Sequence, residues 1–129
     1  MQVEHYFQQI REIIESSPFI QLSDISYNKR SSYEGYIRGE VLFVDGSVLH
    51  LREFVDVEIE SERLMYVYQY QDSENKLIFR YDDTGHHKRL KLQTFPHHKH
   101  QGSEENVIAS DAPTLSQVLE EIELSLQLP

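Results

Sequence analysis

Both ends of this chain carry apolar residues at helical spacing, and almost everything between them alternates with the period of a strand. Val3, Tyr6, Phe7, Ile10, Ile13 and Ile14 predict an amphipathic helix over 3–16, stopped by Ser16, Ser17 and Pro18. Leu115, Val118, Leu119, Ile122 and Leu126 make a matching stripe over 114–127, and Thr114 with Gln117 forms a capping-box pattern ahead of it. Neither helix can bury its stripe alone, so each needs a sheet face to cover. Strands are expected at 19–27, 36–44, 47–57, 63–71 and 76–83, the first with the poorest alternation. A basic, histidine-rich segment at 86–100 and a polar surface loop, "HQGSEEN", lead into the last helix. The sum is an α+β fold: an antiparallel sheet of about five strands with the N-terminal and C-terminal helices on one face. The histidine segment is expected to cross near the other.

At 129 residues the chain is expected to form a single domain, 1–129. It has no apolar run that would span a bilayer, and Met1 to Ile10 lacks the basic-then-apolar order of a signal peptide. A cytoplasmic protein with no membrane association is the expectation. With no cysteine there is no disulfide framework and no thiol chemistry. The net charge of −10 opposes coating nucleic acid over the whole surface. Its distribution is uneven. Lys88, Arg89, Lys91 and Lys99 bring +4 to residues 86–100 without a single acid, which leaves −14 for the remainder. One positive strip on an acidic body suits a local anionic ligand or an acidic partner.

The dipeptide Asp45-Gly46 reads as a two-residue hairpin turn, which would set Arg38 opposite Glu53 and Gly39 opposite Arg52. Glu53 shares its face with Leu49, Leu51, Val55 and Val57, an awkward place for a carboxylate. A cross-strand ion pair with Arg38 is one reading of it, since buried charges are normally paired. A site carboxylate at the rim of the sheet is the other. In the next hairpin, closed by "DSEN", Tyr66, Tyr68 and Tyr70 share a face with Leu77, Phe79 and Tyr81. Such a face can stack bases, but two apolar helices need it as core. Gln69, Gln71, Arg80 and Asp82 then emerge on the other side, and the chain runs from them into His86 and His87.

Five of the seven histidines fall between His86 and His100. Pro96 biases Phe95 toward extended backbone, so Phe95, His97 and Lys99 should point one way and His98 and His100 the other. His98 and His100, with Glu53 or Asp82, could form a site of two histidines and one carboxylate. The adjacent cations raise the cost of a further 2+ charge and favour an anion instead. No metal or other cofactor is therefore expected, and a sulfate, phosphate or carboxylate is expected within reach of Arg80 and Lys99. Proton transfer is the second chemistry. His87, His97, His98 and His100, with Asp82 beside them, supply candidate acids and bases, and Arg80, Lys88, Arg89 and Lys99 could hold a phosphate. Metal-independent RNA cleavage needs just those residue types. Histidines that tie a loop together or line a partner interface remain the alternative.

"LHLREFVDVE", "YVYQYQDSENKLIFRYDD", the His86–His87 pair and "FPHHKH", in that order and followed by a Pro-Thr-Leu helix start, resemble the TumE-type toxins. The resemblance covers roughly 35–122. It implies the toxin half of a prokaryotic toxin–antitoxin pair, neutralised by an antitoxin, a small helix-turn-helix protein. Gln69 stands where a histidine is expected, Asp83 where asparagine is usual, and Gly85 where a proline precedes the histidine pair. The change at Gln69 removes a possible proton carrier. The expected function is a toxin acting as a metal-independent ribonuclease. The runner-up is a non-catalytic module whose basic strip docks a protein or RNA.

Overall fold

A computed structural model describes residues 1–83 and 96–127. Helix α1 spans Val3–Glu15 and α2 spans Leu115–Leu126, within a residue or two of their apolar stripes. The capping box at α2 forms as its residue types require. Thr114 Oγ1 accepts from the Gln117 amide at 3.2 Å, and Gln117 Oε1 accepts from the Thr114 amide at 2.9 Å.

Between the helices lies one antiparallel sheet in strict chain order. Its strands are β1 (Ile20–Lys29), β2 (Glu34–Phe43), β3 (Val48–Asp56), β4 (Glu62–Gln71), β5 (Leu77–Asp82), β6 (His98–Gln101) and β7 (Val107–Ala109). The sheet therefore has seven strands and not about five. The two additions are short: β6 reads HKHQ, with no apolar alternation, and β7 only VIA, too brief to show a period. The described end of the histidine segment does not cross a face: residues 98–101 pair with β5 and continue the sheet, and 86–95 lie outside the described residues. β1 is an edge strand with most residues exposed, which accounts for its weak alternation.

One face is covered by both helices. Val3, Phe7, Ile10 and Ile14 of α1 and Leu115, Val118, Leu119 and Ile122 of α2 join a single core. The sheet contributes Ile37, Val41, Leu49, Leu51, Val55, Tyr66, Tyr68, Tyr70, Phe79 and Tyr81 to that core. The tyrosine stripe is core, as two uncovered helices demand.

The first hairpin corrects the sequence reading. Gly46 takes φ +87°, its amide donates to Phe43 O at 3.0 Å, and the Phe43 amide donates to Ser47 O at 2.9 Å. The loop is thus three residues, Val44 to Gly46, with glycine in the left-handed position. That single extra residue moves the register by one, so Ile37 faces Glu53, Gly39 faces Leu51 and Arg38 faces Arg52. Arg38 lands on the opposite side of the sheet from Glu53. The carboxyl group of Glu53 is satisfied from the helix side instead: Tyr68 donates to it at 2.6 Å, and Tyr6 of α1 donates to its other oxygen.

Candidate functional site

The pairing of β5 with β6 assembles a charged cluster on the face away from the helices. Asp82 sits opposite His98 and Arg80 opposite His100. Alternation along β6 turns His98 and His100 to that side and Lys99 to the other, as the strand-like reading of "FPHHKH" requires. His98 and His100 are each 1 % exposed and Asp82 is 3 % exposed. Arg80 is the reachable member, its side chain 21 % exposed.

Hydrogen-bond chemistry orders the group. Arg80 lays a two-pronged contact on Glu104, 2.6 Å at each oxygen, and its Nε donates to Asp82 Oδ2 at 3.1 Å. It also donates to Gln69 Oε1 at 3.2 Å. Guanidinium has no acceptor, so at 3.1 Å from Arg80 the Nε2 of His100 accepts. Its Nδ1 then carries the proton and donates to Glu104 O at 2.7 Å. His98 likewise donates from Nδ1 to Pro96 O at 2.9 Å, which turns its Nε2 toward Asp82 Oδ1 at 2.8 Å. A proton arriving on that nitrogen meets a carboxylate.

Other predicted site residues lie elsewhere. Lys99 packs over Tyr81 on the helix side, with Nζ 3.1 Å from Glu121 Oε2. Burial pushes its pKa down, but hydrogen bonds to Tyr81 and Glu121 prevail and raise it. Lys99 therefore cannot share an anion with Arg80. His97 shares a 2.9 Å hydrogen bond with the Tyr66 hydroxyl and stacks on that ring. Burial, followed by the charge of Asp83, drives the Tyr66 pKa upward. His87, Lys88 and Arg89 lie outside the described residues, as do His86, Lys91 and Phe95.

The residues match the family described as Toxin TumE over 10–126, most of the chain. This chain belongs to the TumE toxin family. It is the toxin of a toxin–antitoxin system, and an antitoxin is its partner in general terms. No curated protein and no solved structure matches it. Among the described residues of this TumE-family toxin, no helix is long and apolar enough to cross a membrane.

A metal could be held in this toxin by Asp82, His98 and His100, whose donor atoms lie within 4.8 Å of one another. The anticipated alternative with Glu53 does not assemble, because Glu53 is among Tyr6 and Tyr68 on the far side of the sheet. Both Nδ1 atoms donate to backbone carbonyls, the orientation that aims Nε2 at a metal. Against this, the Arg80 guanidinium already contacts Asp82 and His100, so a divalent ion would share its pocket with a fixed cation. Two participants escaped the sequence reading. Glu104 sits in a loop read only as surface, and Gln69, placed by alternation on the face of Arg80 and Asp82, carried no expected role.

Proposed function

We propose that this toxin is a metal-independent ribonuclease whose phosphate-binding group is Arg80 and whose proton carriers are the histidines around it. The observation that supports the reading is the convergence of two imidazoles, one carboxylate and one guanidinium at the β5–β6 pair. In such a reaction a base takes the 2′-hydroxyl proton and the 2′-oxygen attacks phosphorus. The 5′-oxygen then leaves, taking a proton from an acid. Arg80 would offset the charge of the phosphorane, and no water or redox partner is consumed. His98 and His100 are the candidates for acid and base beside Arg80; His97 lies with Tyr66 apart from them, and His87 is outside the described residues. Asp82 would orient His98 through the 2.8 Å contact at its Nε2. The antitoxin of this reading is a small helix-turn-helix protein, and the setting is cytoplasmic.

A second reading rests on burial. His98 and His100 at 1 % exposure are placed as a latch between β5, β6 and the Glu104 loop, and a latch would serve a toxin that works by binding. The experiment incubates end-labelled RNA with purified protein in EDTA and identifies the new ends. Cyclic phosphate ends that vanish in Arg80→Gln and His100→Gln, with both variants folded, support the nuclease. Intact RNA with and without added metal, from protein that still arrests growth, supports the binder.

A further inference from the structure

We propose that the sheet face left bare by the helices is a track for single-stranded RNA, built on Arg38 and Arg52 and leading to Arg80. The proposal deepens the ribonuclease reading and rests on it for the identity of the ligand.

The corrected hairpin register makes Arg38 and Arg52 direct cross-strand partners on β2 and β3. Both are exposed, and among the described residues neither makes an ion pair or a side-chain hydrogen bond. Like charges directly opposite each other on a sheet are destabilising. Two unneutralised guanidiniums in this arrangement are a cost to folding that an anion would relieve. They line a groove of about 530 Å³ together with Asp24, Glu40, His50, Val67 and Gln69.

Two register pairs away, on the same face, Tyr36 faces Phe54, and their rings stack with centroids 4.5 Å apart at 19°. Arg30 lies over Tyr36 at 4.8 Å. This pair is only partly buried and belongs to no helix-covered core. Aromatic rings beside arginines on an open sheet accept unpaired bases, which stack on rings while phosphates meet the cations. A duplex hides its bases from such a platform.

The row of Arg38 and Arg52 continues through Val67 and Asp82 to His98, each residue paired with the next across the sheet. Arg52 and Asp82 are separated by two strand spacings, about 10 Å. Arg80 stands on the next row of the same face, opposite Gln69, with its Nε 3.1 Å from Asp82, so a short strand that follows Arg52 to Asp82 meets it there. Glu40, which pairs with His50 at 3.3 Å, and Asp24 opposite Glu40 stand on the neighbouring row. They stand at the β1–β2 end of the row that runs through His50 and Gln69 to Arg80, where they repel phosphate and hold the strand on the Arg52 row until it reaches β5.

The test uses a 2′-O-methyl oligonucleotide, which keeps the phosphates and bases but cannot be cut by its own 2′-oxygen. Fluorescence anisotropy on the full chain should show this single strand bound more tightly than its duplex. Arg38→Glu and Arg52→Glu should each weaken binding about tenfold or more and flatten the salt dependence. The same substitutions convert a repelling pair into an attracting one, so the unfolding midpoint should hold or rise. Tyr36→Ala with Phe54→Ala should weaken the strand by roughly fivefold while leaving inorganic polyphosphate bound. Wild-type protein that ignores the strand overturns the proposal. So do arginine variants that bind the strand like wild type but lose the antitoxin, since that result makes the face a protein interface. Native RNA cut with unchanged KM in both arginine variants leaves the nuclease reading standing and removes the track. A strand held by these arginines but native RNA never cut does the reverse.

Discussion

Tyr68 donates its hydroxyl proton to Glu53 Oε2 at 2.6 Å in the middle of the core. Tyr6 of α1 donates to the other oxygen, and Arg63 donates to the Tyr68 hydroxyl at 3.0 Å and to the carbonyl of Ala112, also at 3.0 Å, just ahead of α2. One carboxyl group thus links both helices to β3 and β4. Glu53→Ala leaves the hydroxyl protons of Tyr6 and Tyr68 without their acceptor and opens a cavity, and should cost about 3 kcal/mol. Glu53→Gln keeps one acceptor and should cost about 1 kcal/mol. Urea unfolding of both variants checks the order. Equal losses would show that the lost carboxylate acceptor, and not side-chain volume, carries the effect.

The same network sets an alkaline limit. Burial first, and the charge of Glu53 second, raise the pKa of Tyr6 and of Tyr68 above the ordinary value of 10.0. The folded state therefore retains protons that the unfolded state releases. Stability from these groups is fully present below pH 10.0 and is lost as pH climbs from there through the raised folded values. Urea midpoints compared at about pH 8 and about pH 11 should fall more steeply in wild type than in Tyr6→Phe. A parallel fall in the two would remove Tyr6 from the effect.

Gly39 is fixed by backbone contact. A Cβ there would stand 2.2 Å from Asp24 O and 2.7 Å from Ile25 Cα, both main-chain atoms of β1 that cannot step aside. Gly39→Ala should displace the edge strand and cost about 2 to 3 kcal/mol. Amide exchange should show Ser23 to Tyr27 losing protection before the central strands do. Uniform loss over the whole sheet would mean β1 is not a separate unit.

Arg80 decides the question of metal. Its contacts with Asp82 and His100 occupy two of three candidate ligands with a permanent cation. Elemental analysis of purified, untagged protein is expected to find zinc and nickel well below one per chain, and Arg80→Ala should raise uptake. Stoichiometric zinc in wild type, lost in His98→Ala or His100→Ala, would make Asp82, His98 and His100 a metal centre.

The sequence alone determined what depends on neighbours a few residues apart. Helical spacing placed α1 and α2 because a stripe every three or four residues has no other regular use. The capping box at Thr114 and the tyrosine stripe of β4 followed from equally local rules. So did the opposite facings of Lys99 and the His98–His100 pair, since alternation needs only an extended backbone. Tertiary structure decided everything that depends on register between strands. Asp45-Gly46 signals a turn, but whether two or three residues form the loop depends on how the flanking strands twist and pack. The left-handed Gly46 chose three. That one residue took Arg38 from Glu53 and gave it Arg52. Glu104, 24 residues beyond Arg80 and in a loop without any pattern, joins the cluster only because β6 returns beside β5. Backbone pairing across distant segments carries no sequence signature of its own, because the hydrogen bonds that make it are the same for every residue.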